Sequence, residues 1–151
     1  WCTLMAEEYL FPSPEWAKAY CEALNKSEEY RRAGSTWTAG DIMFIIKGLP
    51  EELRNLFGGR DSVGFILDLY QGRCRGVEFV EDVSSKSAAF VISANYNVWL
   101  DVISGKLHPT TALMTMKLKV EKGNVAILLR YAQAAIAMVN AAQRVPTKYK
   151  P

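Results

Sequence analysis

The sequence predicts an α+β domain built on a five-stranded, mainly antiparallel sheet covered by helices. Three observations carry this: apolar runs of strand length in the middle of the chain, helical repeats with start and stop signals at both ends, and an order of two helices, four strands, two helices, one strand and one helix. With 151 residues, half of them hydrophobic and 23% charged, the chain has the size and apolar content of one compact domain, and disorder is excluded.

Ser13-Pro14-Glu15 reads as an N-cap, a proline at the first helical position and an acid in the first turn; Trp16, Tyr20, Cys21 and Leu24 then recur at helical spacing. A first helix is expected over 14–25. Ser27-Glu28-Glu29 caps a second, short helix through Arg32, stopped by Gly34. Residues 41–47 carry Ile42, Met43, Phe44, Ile45 and Ile46, apolar on both faces and too short for a core helix, and so predict a central strand. Residues 63–70 set Val63, Phe65, Leu67 and Leu69 on one face, and Gln71-Gly72 turns the chain into a third strand over 76–81, giving an antiparallel meander. After a polar loop over 81–87, residues 88–96 alternate as a fourth strand.

Two short helices follow, over 98–104 with Asn97 as cap and Gly105 as terminator, and from Pro109 or Thr110 to Met116, joined by Lys106-Leu107-His108. Residues 117–121 form a half-buried strand with Leu118 and Val120 inward. Gly123-Asn124 opens one long final helix whose stripe is Val125, Leu128, Ala132, Ala135, Val139 and Ala142. Arg130, Gln133 and Asn140 interrupt its apolar run, so an amphipathic helix is expected there instead of a membrane span. The expected organisation is an N-terminal helical segment over 1–35 packed on the same domain, a main unit over 36–144 and a loose basic tail over 145–151.

A formal charge of +2 is too small to make nucleic acid the expected partner. Charge is nonetheless segregated: residues 104–151 hold eight basic groups and one acid, Glu121. Cys2, Cys21 and Cys74 are odd in number and lie far apart, which supports neither a disulfide framework nor a thiolate metal site and fits a reducing, cytoplasmic setting. No basic leader opens the chain, so no secretion signal is expected.

No catalytic constellation emerges. His108, the single histidine, precedes Pro109 in a short link and reads as an exposed or capping residue without metal-binding partners. Gly58-Gly59 and the run Gly72-Arg73-Cys74-Arg75-Gly76 lack phosphate-loop spacing and read as turns. The acid pairs Glu51-Glu52 and Glu81-Asp82 are placed in polar loops. What remains is an abundance of large apolar groups, read first as packed core and second as the wall of a ligand-holding cavity.

Residues 99–124, WLDVISGKLHPTTALMTMKLKVEKGN, resemble the signature half of the sterol carrier protein 2 family. The likeness rests on Gly105-Lys106-Leu107-His108-Pro109, Ala112-Leu113-Met114, Lys117-Leu118-Lys119-Val120 and Lys122-Gly123, and extends by strand pattern over about 36–144. It implies a sterol-carrier-protein-like fold with an apolar tunnel. A non-catalytic protein is then expected, without cofactor or metal, that binds and transfers fatty acid, fatty acyl-CoA, sterol or phospholipid.

On that resemblance the ligand tail is placed between the strand residues Phe65, Leu67, Val77, Phe79, Leu118 and Val120 and the helical residues Trp99, Ile103, Leu113, Leu128, Tyr131, Ala135 and Val139. The alanines of the last helix either leave room for ligand or simply draw helix and sheet together. Lys106, Lys117 and Lys119 are assigned to an anionic head group or a transient membrane contact, with a solvated strand face as the plain alternative. Where the family usually has glycine, this chain has Met116, expected to fill part of the cavity or narrow its entrance. Tyr149-Lys150-Pro151 is not a peroxisomal address, in keeping with a cytoplasmic protein. The alternative function is an accessory or dimerisation module of the same fold, with a filled core and a protein partner or a second copy of itself.

Overall fold

The computed structural model describes residues 8–149. Cys2, the leader region and the Lys150-Pro151 end of the tail lie outside that range. The order is β1 (Tyr9–Leu10), α1 (Pro14–Lys26), α2 (Glu28–Ala33), β2 (Ile42–Lys47), α3 (Glu51–Leu56), β3 (Val63–Tyr70), β4 (Arg73–Val80), β5 (Phe90–Asn95), α4 (Tyr96–Ile103), α5 (Pro109–Met114), β6 (Lys119–Lys122), α6 (Val125–Arg130), α7 (Ala132–Gln143) and β7 (Thr147–Lys148). Five strands form the main sheet in the order β4-β3-β2-β5-β6. All its neighbours are antiparallel except β2 and β5, which pair in parallel and are connected in sequence through the β3–β4 hairpin.

The period-two pattern decides which side chains meet the helices. Ile42 and Ile46 of β2, Val63, Phe65, Leu67 and Leu69 of β3, and Phe90, Ile92 and Ala94 of β5 belong to the large core beneath the helices. Met43, Ile45, Ile66, Val80 and Val91 point the other way into a smaller cluster closed by Ala88 and Val83. The loop over 81–87 is thus a cover for the back of the sheet, with a short 3₁₀ turn at Val83–Ser85 whose cap is Asp82.

Both N-terminal helices begin as expected: the Ser13 hydroxyl accepts from the Trp16 amide and the Ser27 hydroxyl from the Tyr30 amide, each at 3.0 Å. The α1 helix lies across edge strand β4. There the Asn25 side chain donates to the Cys74 carbonyl and accepts from the Cys74 amide, both at 2.9 Å.

Several expectations need correction. Cys21 and Cys74 are joined by a disulfide across 53 residues of sequence; helix and strand bring their Cα atoms to 5.5 Å, a proximity that spacing along the chain does not reveal. The cysteines therefore no longer argue for a reducing compartment. Glu51 and Glu52 are not in a loop but open α3, which fully buries Leu53. The third strand starts at Arg73, since only Gln71 and Gly72 are needed for the hairpin turn. Tyr96 ends no strand but begins α4, earlier than the Asn97 cap implied.

The single long final helix is two. Tyr131 leaves helical geometry (φ −101°, ψ 36°), held by edge-to-face contact with Trp37 at 4.9 Å between centroids and by its hydroxyl, which donates to the Thr36 carbonyl at 3.1 Å. Val125, of the expected stripe, is 42% exposed, and the buried face of α7 is Ala134, Ala137, Ala141 and Ala142. The tail expected to be loose is tied down over residues 145–148: Val145 is buried, and β7 pairs in parallel with β1.

These contacts set the cost of two changes. Gln71 and Gly72 both have positive φ (49° and 80°), the signature of a two-residue hairpin turn, and a Cβ on Gly72 would run into the Arg31 backbone. Gly72→Ala is expected to cost about 1–3 kcal/mol in urea unfolding. Breaking the Cys21–Cys74 link, by Cys74→Ser or by a reductant, is expected to cost about 4 kcal/mol for a loop of this length. Thiol titration of the unfolded protein with and without prior reduction checks that the link exists.

Candidate functional site

Alanine on α7 determines where the site lies. Its small side chains let α7 pack closely against α1, α2, α4 and α5, and these helices, not the strands, are its main neighbours. The helix therefore arches over the sheet without descending onto it. Between the two lies an apolar cavity of about 130 Å³.

Its floor is Ile42, Phe44 and Ile46 from β2, Phe65 and Leu69 from β3, and Ile92 from β5. One wall comes from Trp16 and Tyr20 of α1, Tyr30 of α2, and Trp37. The opposite wall is Trp99, Val102 and Ile103 of α4 with Pro109 and Leu113 of α5 and Leu118 before β6. Leu128 of α6, Tyr131, and Ala134, Ala135, Met138, Val139 and Ala142 of α7 close the roof. The floor is bound together by aromatic contacts: Phe65 meets Trp16, Tyr20 and Phe44 at centroid distances of 5.9, 6.4 and 5.4 Å, and Phe44 meets Trp99 at 5.6 Å.

The polar atoms of five of these rings are committed to protein partners. Trp16 Nε1 donates to Thr147 Oγ1 and Tyr20 OH to the Met138 carbonyl; Trp37 Nε1 donates to the Gly40 carbonyl, Trp99 Nε1 to the Ile45 carbonyl and Tyr131 OH to the Thr36 carbonyl, at 2.9–3.1 Å. What they offer a guest is therefore their apolar faces. Such a lining suits hydrocarbon and gives little purchase to an ion.

Burial, with a smaller contribution from neighbouring Tyr30, holds the Tyr20 phenol far above its ordinary range, and burial pushes Tyr30 up to about 12. Both stay neutral throughout the physiological range. His108 lies outside the cavity and caps α5, its Nδ1 accepting from the Thr110 amide at 3.2 Å.

Of the residues assigned to ligand from sequence, Phe65, Trp99, Ile103, Leu113, Leu118, Leu128, Tyr131, Ala135 and Val139 line the cavity. Five do not. Leu67 is fully buried in the core beside it. Val77 and Phe79 lie on β4, on the far side of β3, where Phe79 packs on Phe57 at 5.5 Å; Val120 is half-buried on edge strand β6. Met116 neither fills the cavity nor narrows it: the residue is 72% exposed, is not part of the lining, and has φ 61°, a left-handed conformation in which glycine is at ease. Lys106, Lys117 and Lys119 are exposed and line no part of the space.

Sequence reasoning missed the wall made by Trp16, Tyr20, Tyr30 and Trp37: the first three precede the resemblance, which began near residue 36, and Trp37 sits at its margin, outside the strands and helices whose periodicity selected the other residues. The Trp16–Tyr20 spacing of four on α1 was the available signal, since two large rings on one helix face require a partner surface.

A sheet covered on one face by helices, with an apolar space between the layers, defines an α+β domain with an internal hydrophobic cavity. Residues 21–135 match the model of the SCP-2 sterol transfer family, and the chain belongs to that family. Among solved structures, it is similar to a crystal structure of sterol carrier protein 2, with 40% identity over 88% of this chain and 97% of the other and a TM-score of 0.76. It is also similar to a conserved hypothetical protein from Thermus thermophilus, described as a candidate sterol carrier protein, with 38% identity over 95% and 94% of the two chains and a TM-score of 0.79. Sterol carrier protein 2 from Yarrowia lipolytica in its apo form, at 20% identity over 84% and 88% and a TM-score of 0.52, shares the fold. No curated protein sequence matches the chain.

The buried phenols give the site a pH signature. With their folded values raised, Tyr20 and Tyr30 keep their protons where the unfolded chain, titrating near ~10, loses them. Stability is expected to be level below about pH 9 and to fall from about pH 10 to 12, by up to ~1.4 kcal/mol per pH unit for each such tyrosine. Thermal melts across that range check it, and Tyr30→Phe should make the decline shallower.

Proposed function

We propose that this protein carries lipids by holding their hydrocarbon in the cavity, with no covalent step, and releases them reversibly. The supporting observation is the lining itself: its tryptophans and most of its tyrosines direct their polar atoms to protein partners and leave hydrocarbon toward the space. The proposed guests are fatty acid, fatty acyl-CoA, sterol and phospholipid, with their polar ends toward solvent. Tail contacts are assigned to the nine sequence-selected lining residues together with Trp16, Tyr20, Tyr30 and Trp37.

Burying about ten methylenes at ~0.8 kcal/mol each gives roughly 8 kcal/mol before association costs, which bounds the affinity near the micromolar scale. That range suits carriage. The cavity, at about 130 Å³, is smaller than the ~300–1,000 Å³ of usual ligand sites, so uptake requires part of the helical wall or roof to yield. The short helices α5 and α6 are the natural movers, because neither exceeds six residues. No helix among the described residues is long and apolar enough to cross a membrane.

Titration of the delipidated protein with a fluorescent fatty acid, followed by energy transfer from the tryptophans, tests the proposal. Saturable uptake is expected. Ala135→Phe, which inserts a ring into the space, is expected to weaken uptake at least ~10-fold while the folded protein melts no lower than about 1–3 kcal/mol of overpacking would allow. A lipid-indifferent dimer in native mass spectrometry would instead identify an accessory or dimerisation module.

A further inference from the structure

We propose that the turn from α5 into β6, residues 113–119, is a docking face for an anionic phospholipid bilayer, with Met114 and Met116 entering the acyl region; this rests on the lipid-carrying reading above. These methionines are 70% and 72% exposed, and they are the two most exposed large hydrophobic residues among those described. Met116 is also held at φ 61°, where a side chain is disfavoured and glycine is at ease. The chain thus holds an apolar side chain in water at a position whose backbone disfavours one. Neither cost is offset by packing in the free protein.

Their surroundings select the partner. Residues 104–120 contain Lys106, Lys117 and Lys119 and no acid. All three lysines are exposed, and the salt bridges among the described residues include none of them. The acids closest in sequence are Asp101 on α4 and Glu121 on β6, the latter paired with Lys47 at 3.3 Å. Apolar tips flanked by exposed cations, of which only Lys119 feels a nearby acid, Glu121, match a bilayer surface, where the methionines reach hydrocarbon and the ammonium groups meet lipid phosphates and carboxylates. A soluble protein partner would require acids and a shaped pocket; a bilayer needs only this pattern.

The same segment borders the cavity: Pro109 and Leu113 of α5 and Leu118 line it from within. Hydrocarbon inside and methionine outside are therefore separated by one turn of helix. Seating Met114 and Met116 in the bilayer brings the wall of the cavity to the lipid surface, and displacement of α5 there opens the space to a lipid tail without passing it through water.

Sedimentation with vesicles of phosphatidylcholine alone, and of phosphatidylcholine mixed with phosphatidylserine, tests this at low and high salt. Binding to the mixed vesicles is expected to be stronger by on the order of 100-fold at low salt, and to weaken as salt rises. The double variant Met114→Ser, Met116→Gly is expected to lose at least ~10-fold of that binding. Met116→Gly alone is expected to melt at the same temperature or higher, which separates loss of docking from loss of fold. The double variant should take up fluorescent fatty acid from buffer as the parent does, yet transfer it between vesicles more slowly. Undiminished vesicle binding by the double variant, or parent binding indifferent to phosphatidylserine, overturns the proposal. Vesicle binding without any fatty-acid uptake would overturn the carrier reading and leave this surface standing.

Discussion

The arrangement depends on α7 having alanine where it meets other helices. Four buried alanines allow close approach to α1, α2, α4 and α5, and the helix is supported at the level those neighbours set. The strands of the sheet are not among its main neighbours. The hydrophobic effect would close such a gap if the layers were free to approach, but the helix-to-helix contacts hold them apart. The cavity is thus a product of packing among the helices. Two of the four buried alanines, Ala134 and Ala142, line the space as well, so the face that sets the packing of α7 also forms part of the roof.

Much of the fold was legible from local signals because those signals are strong here. The caps at Ser13 and Ser27, the two-faced run in β2 and the alternation along β3 and β5 each reflect a local preference that tertiary structure reinforces. The failures have a common origin in non-local geometry. Nothing near residue 131 announces a break; it is made by Trp37 and Thr36, almost a hundred residues away. The Cys21–Cys74 link is likewise invisible until α1 is known to cross β4.

The site was half legible for the same reason. Residues on β3, α4, α5 and α7 could be chosen by inward periodicity, and those near the middle of the sheet do line the cavity. Periodicity does not say how far along the sheet the helices stand off, so Val77, Phe79 and Val120, inward but on edge strands, were included, and Trp16 and Tyr20 were left out. Met116 shows a different limit. Its left-handed backbone decides the direction of the side chain, and residue type alone carries no dihedral angle.

The grip of Asn25 on Cys74 also bears on solubility. A five-stranded sheet ends in two rows of unpaired peptide groups, each a template on which another chain can add a strand. On β4, one amide and one carbonyl of that row are already taken by a side-chain carboxamide imitating a neighbouring strand, and α1 stands in the way of any newcomer. At the opposite margin, β6 is four residues long and bears Lys119, Glu121 and Lys122. Both borders of the sheet thus carry features that discourage the addition of a further strand in crowded solution.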